Sequence, residues 1–226
     1  TRLPRAIRDV YKRQVVYSLG CLVGQKDLGS ALIFFGISLT MLYVATGKKK
    51  YVVITFILFV LGSIFAYKLF PHVQQRVLIW RDPWKYKDTT GYQIVQGLYS
   101  ISSGGMFGSG LGQGYPGFMP VNTSDLIFAV ICEELGMVFG LGIMIIYFLF
   151  FYRGMRASFR IKDRFSQLNA IGLSAMIACQ VLVIIGGVFA VIPLTGITLP
   201  LISAGGSSII TMFFALAILQ KISEEG

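Results

Sequence analysis

Three carboxylates stand where a carboxylate is expensive. In PVNTSDLIFAVICEELG, residues 120–136, Asp125 opens a long apolar run and Glu133 and Glu134 lie inside it. An ionisable group within an apolar span is costly and is a functional candidate by default. Asp125, beside Thr123 and Ser124, can serve as a helix N-cap, accepting backbone N–H bonds at the positive end of the helix dipole. Its other reading is a carboxylate in a half-dry cleft, the setting that tunes an acid into a general base. On a continuous helix Glu133 falls about 80° around from Asp125 and Glu134 about 180°. Glu133 is therefore the candidate for Asp125's cavity, and Glu134 for pairing with another helix. Gly136 and Gly140 would let a neighbouring helix approach closely.

Two further polar segments interrupt the apolar sequence. QKDLGS carries Gln25, Lys26 and Asp27. IPLTGITLPLISAGGSS, residues 192–208, has Pro193 and Pro200 as helix breakers and ends in Gly205, Gly206, Ser207 and Ser208. Irregular backbone at membrane depth is tolerated only where it is buried in protein or lines a cavity. A long segment, about residues 68–125, interleaves Arg76, Arg81, Lys85 and Lys87 with Trp80, Trp84, Tyr86, Tyr92 and Tyr99. That pattern suits a headgroup-level belt, and it also offers cations to a phosphate-bearing ligand. Its glycine-rich stretch, residues 102–117, matches G-x-G-x-x-G at Gly112, Gly114 and Gly117. Without a strand–helix context that is no dinucleotide fingerprint, and no G-K-[ST] follows for a P-loop. The glycines instead permit tight turns and close backbone approach. No metal-ligand spacing is readable, and Cys21, Cys132 and Cys179 sit in apolar runs as buried thiols.

The elements that must position these residues are membrane helices. Of the 226 residues 55% are hydrophobic and 13% charged, with a mean hydropathy of +0.72; a soluble domain carries about 25% charge. Spanning needs roughly 20 mostly apolar residues. Residues 28–46, 51–67, 126–152, 170–192 and 207–219 qualify or nearly so, and 15–24 is a partial span. Lys48–Lys50, Arg153 to Arg164, Lys221 and the basic start place fourteen of the 20 Lys and Arg on one side. By the positive-inside rule that side is cytoplasmic and the long loop is extracellular. The net charge of +10 is then topological, so nucleic acid is not an expected partner, whereas membrane lipid is. Residues 1–14 are basic with no apolar face and read as a non-native segment, set aside from fold reasoning. The expectation is an all-α polytopic membrane protein in which three polar segments meet on the outer face.

Six motifs in order now carry a resemblance. QKDLGSAL (25–32), RDPW (81–84), GYQ (91–93), SSGGMFGSGLGQG (102–114), SDLIFAVICEELG (124–136) and PLTGITLPLISAGGSS (193–208) resemble the SEDS family, the RodA/FtsW/SpoVE proteins, over roughly residues 15–223. The resemblance implies a ten-helix fold, of which this chain would supply about the last five helices and part of the one before, and a multi-pass place in the bacterial cytoplasmic membrane. It implies a peptidoglycan glycosyltransferase polymerising lipid II at the outer face, in elongation, division or sporulation, beside a class B penicillin-binding protein. Asp125 matches the family's essential Asp and would take the proton from the acceptor's 4-hydroxyl. That oxygen then attacks the donor's anomeric carbon and expels undecaprenyl pyrophosphate. Arg76 would meet the pyrophosphate, and Gln25, Asp27, Glu133, Ser207 and Ser208 would contact substrate. A divalent cation, Mg or Mn, is the one cofactor the resemblance allows. The chain departs from the family pattern at Val121, Thr123, Lys26 and Ala204. Two other readings stand beside it: a lipid II flippase, which should depend on Glu133, and a non-catalytic scaffold for the penicillin-binding protein. The piece by itself is expected to be inactive.

Overall fold

The computed structural model describes residues 27–224 apart from 116, 118, 119, 121 and 122. The described residues form seven α-helices: α1 (Leu28–Thr46), α2 (Lys49–Leu69), α3 (Pro71–Arg81), α4 (Tyr92–Gly104), α5 (Ile127–Ser158), α6 (Arg164–Val188) and α7 (Gly206–Glu224). A short 3-10 turn, Pro83–Tyr86, follows α3. Five of the helices, α1, α2, α5, α6 and α7, are long and apolar enough to cross a membrane. The long loop is thus substantially helical. Pro71 opens α3 at a position where a missing N–H costs nothing, and Asp82 accepts from Lys85 N to start the 3-10 turn.

Helix α6 is the hub, packed on both α1 and α5. Its apolar window is 61% buried, whereas α2 has no buried residue and leaves its apolar surface exposed. The shared core runs through Leu126, Phe128, Cys132, Ile177, Val181, Ile184, Val188, Leu199 and Met212. Contacts between distant segments fix which helix ends share a side. Arg164 donates from Nη2 to the Ala45 carbonyl at 3.1 Å, tying the start of α6 to the lysine-bearing turn after α1. At the opposite end Trp80 donates from Nε1 to the Ala190 carbonyl at 2.8 Å. Trp80 is in this way a strut of the loop, and Trp84 meets Tyr99 edge-on at 5.5 Å.

The expected straight helix from residue 126 is not observed. Gly136 has φ +87° and ψ 167°, which breaks α5 into a short segment before it and a span after it. In a straight helix eight residues rise about 12 Å, yet Cys132 Sγ lies 2.8 Å from where a Cβ on Gly140 would stand. The chain therefore bends sharply at Gly136. The glycine-rich loop fills the bend: Met137 N donates to the Gly105 carbonyl at 3.0 Å and Val138 N to the Met106 carbonyl at 3.2 Å. Only a glycine fits at 136, because a Cβ there would sit 2.4 Å from the Met106 carbonyl oxygen as well as straining the backbone. The Gly136/Gly140 pair thus admits a loop and the chain's own folded-back turn, in place of the neighbouring helix expected. Helix α6 also stops at Val188, short of the expected 192, and Ala190 follows with φ +54°.

Candidate active site

Asp125 is half-buried and lines an outward-facing cleft of about 290 Å³. His72, Gln75, Arg76 and Ile79 of α3 form one wall, Thr90, Gln93 and Ile94 a second, and Leu194 and Gly196 a third. The α3 residues follow the i, i+3, i+4, i+7 spacing that puts side chains on one helix face. Arg76 donates from Nη1 to the Leu194 carbonyl at 3.0 Å, which orients the guanidinium and, among the described residues, leaves its other donors unused.

Asp125 does not cap α5. Leu126 occupies the N-cap position and offers no side-chain cap, so the carboxylate is free for other work. Ser124 Oγ donates to Asp125 Oδ1 at 2.9 Å. Its other oxygen, Oδ2, lies 3.5 Å from the site a Cβ on Gly196 would take; Gly196 has φ +74°, so glycine both permits the turn and leaves the space open. The strap behind it, residues 194–204, is latched to the Asp125 segment. Ser203 is buried, accepts from Leu199 N at 2.7 Å and donates to the Ser124 carbonyl at 2.6 Å, while Ala204 N donates to the Thr123 carbonyl at 2.9 Å. Tyr147 Oη, from within α5, hydrogen-bonds the Pro200 carbonyl.

The other sequence candidates are placed elsewhere. Glu133 is 5% exposed and does not line Asp125's cleft. Its Oε1 accepts from Tyr115 N at 3.0 Å, and its carbonyl accepts from Ser109 N and Ser109 Oγ, both at 2.9 Å. Glu134 does the same with its backbone, accepting from Gly110 N at 3.0 Å. The angular argument from a continuous helix fails for two reasons: Asp125 precedes the helix, and the helix ends at Gly136. Both glutamates belong to the bend, under the glycine loop, instead of deeper along a straight span. Asp27 caps α1, accepting from Gly29 N at 2.9 Å, Ser30 N at 3.3 Å and Ser30 Oγ at 2.5 Å. It touches the site only through its neighbour, since Gly29 packs against Thr195 and Ile197 on the strap. Ser208 Oγ accepts from Thr198 Oγ1 at 2.9 Å, and Ser207 uses its carbonyl to hold Thr211; neither lines the cleft. Gln25, Cys21 and residues 1–14 lie outside the described residues.

Sequence reasoning passed over His72, Gln75, Thr90, Gln93 and Ser203. The helical spacing of His72, Gln75 and Arg76 was a legible signal for the first two, and Gln93 belongs to the GYQ motif. Ser203 had no signal beyond its place in a segment required to be buried.

The described donors do not form an all-protein metal cage. Among the described residues no group of three His, Cys, Asp or Glu could hold a metal ion, and the cleft offers only Asp125 and His72 from that set.

The chain resembles known proteins over nearly its whole length. It is 44% identical over 208 residues to the peptidoglycan glycosyltransferase RodA of Mycobacterium tuberculosis, covering 92% of this chain and 44% of that protein. It is 35% identical over 201 residues to the stage V sporulation protein E of Bacillus subtilis, covering 88% and 55%. The chain thus spans about half the length of the curated relatives it matches. A chain of a solved peptidoglycan synthase complex, described as coordinating polymerization and crosslinking, superposes with a TM-score of 0.74 at 27% identity over 91% of this chain and 58% of that one. The rod shape determining protein RodA of Thermus thermophilus shares the fold with a TM-score of 0.62 at 22% identity, over 99% and 59%. The cell cycle protein family of FtsW, RodA and SpoVE matches residues 5–226. With that match over most of its length, the chain belongs to the FtsW/RodA/SpoVE family.

Proposed function

We propose that this chain carries the base and the leaving-group cation of a peptidoglycan glycosyltransferase that joins lipid II units into glycan strands. One observation carries the reading: Asp125 and Arg76 line the same cleft, backed by the same strap. In this reading Asp125 Oδ2 accepts the proton of the acceptor's hydroxyl while Ser124 holds Oδ1. The freed oxygen forms a bond to the donor's anomeric carbon, and the bond from that carbon to the pyrophosphate oxygen breaks with its electron pair leaving on the lipid pyrophosphate. Arg76 meets that developing charge. A guanidinium held by one backbone carbonyl still presents a fork of N–H donors suited to phosphate oxygens. Gln75, Gln93, His72 and Thr90 supply the neutral hydrogen-bonding groups that a sugar needs. No step is routed through a metal ion.

Membership in the family and five apolar spans make the chain a multi-pass protein of the cytoplasmic membrane. The cleft end of the helices is then the outer face, since Lys48, Lys49, Lys50, Arg153, Arg156 and Arg160 lie at the other end. The solved synthase complex supports a further part of the proposal, assembly with a crosslinking partner such as a class B penicillin-binding protein. The test is reconstitution: the full-length protein in proteoliposomes, given lipid II, should produce glycan strands resolvable by gel. Intact, folded protein that yields none, with or without its partner, defeats the proposal.

A further inference from the structure

A second cavity, of about 160 Å³, lies at the opposite end of the molecule. It is lined by Arg153, Arg156 and Ala157 near the end of α5, Arg160 just beyond it, and Ser223 in the last turn of α7. Residues 153, 156 and 160 follow i, i+3, i+7 spacing, so their guanidiniums project on one side. A helix C-terminus attracts cations, which accounts for basic residues there. It does not account for three of them converging on a hollow closed by a hydroxyl from another helix.

Among the described residues none of the three guanidiniums has an ion-pair or hydrogen-bond partner. The depth also matters. Phe148, Leu149 and Tyr152 are each more than half exposed on α5, and Arg153 follows directly. The surface therefore changes from apolar to cationic at the level where acyl chains give way to headgroups.

We infer that this cavity binds the phosphate headgroup of an anionic lipid in the cytoplasmic leaflet. The shared chemistry is a phosphate held by arginine forks and a serine hydroxyl. The hollow has room for a phosphate group, and the exposed apolar surface of α5 that precedes Arg153 is where acyl chains would lie.

The test is native mass spectrometry of the full-length protein equilibrated with equal phosphatidylglycerol and phosphatidylcholine, with inorganic phosphate added as competitor in a separate arm. The wild type should retain phosphatidylglycerol preferentially, and Arg153→Gln/Arg156→Gln/Arg160→Gln should lower that preference by more than about tenfold. Removing equal charge from another cytoplasmic turn, with Lys48→Gln/Lys49→Gln/Lys50→Gln, should leave it intact. If the triple arginine variant does not fold, Arg156→Gln alone should give a drop of about fivefold. Preference that survives the arginine variants, or falls equally in the lysine variant, overturns the inference. So does inorganic phosphate displacing the lipid from the wild type, which would make the ligand a soluble phosphate.

Discussion

Arg76 and Asp125 line one cleft and reach the same strap: Arg76 donates to the Leu194 carbonyl at 3.0 Å, and Asp125 Oδ2 faces the open position beside Gly196. A cation and a carboxylate are thereby held on one scaffold without neutralising each other through a direct hydrogen bond. Glycosyl transfer with a pyrophosphate leaving group needs such a pair, one group to take a proton and one to receive negative charge.

Arg76 should act on the leaving group. Arg76→Gln in the full-length protein should lower polymerisation of lipid II about 100-fold, the scale of losing one donor to a developing anion. Arg76→Lys keeps the charge but loses the fork, and should fall between. Steady-state strand synthesis with matched protein levels measures it. Equal activity of all three proteins would remove Arg76 from the site.

Gly196 should be a gauge of the space beside the carboxylate. Gly196→Ala places a methyl group 3.5 Å from Asp125 Oδ2 and forces a side chain onto φ +74°. The backbone strain should cost about 1–3 kcal/mol, read as a lower thermal midpoint, and substrate affinity should fall with it. A variant with unchanged affinity and turnover would show that the cleft extends elsewhere.

Much of this was legible in the sequence, and the reasons differ by element. The five spans follow from apolar length, and Lys48–Lys50 and Arg153–Arg164 orient them, because desolvation cost leaves little choice. Asp125 and Arg76 also emerged as candidates, and the structure puts them in one cleft. The bend at Gly136 was not legible: one glycine in an apolar helix looks like a packing site, and only the loop folding over it reveals the break. That break is why Glu133 is a structural acceptor in the bend instead of a wall of the cavity. Asp27 and Ser208 carry the polarity expected of site residues at the outer face, yet their side chains hold α1's cap and the strap; Ser207 is exposed at the start of α7, outside the cleft.

Glu133 should respond as an acceptor and not as a proton carrier. Glu133→Gln keeps a carbonyl oxygen for Tyr115 N and should retain polymerisation within about threefold, whereas Glu133→Ala removes that acceptor and should cost about 1 kcal/mol. Thermal midpoints and strand synthesis on both variants separate the cases. Loss of strand synthesis in Glu133→Gln with a normal midpoint would show that the ionisable carboxyl itself is required. Gly136→Ala should be more damaging than either, since its Cβ meets backbone.

Asp163 gives the cytoplasmic side a pH signature. Hydrogen bonds from Ser166 N and Ser166 Oγ hold its carboxyl below the usual carboxylate range. A depressed folded value means that the cap's contribution is present above the unfolded pKa, about 3.9, and is lost as pH falls through the lower folded one. Hydrogen exchange in the first turn of α6 should accelerate, relative to its intrinsic pH dependence, as the medium is acidified below about pH 4. In Asp163→Ala it should be fast at every pH, without that transition. A transition that persists in Asp163→Ala would assign it to another group.

The most direct measurement is strand synthesis from lipid II by full-length Asp125→Asn in proteoliposomes, beside wild type at equal, folded protein. The amide keeps the shape and the bond from Ser124 but cannot take a proton. Strand synthesis should fall by about 100-fold to 10,000-fold with lipid II binding retained. Polymerisation at the wild-type rate would contradict the assignment of Asp125 as the base.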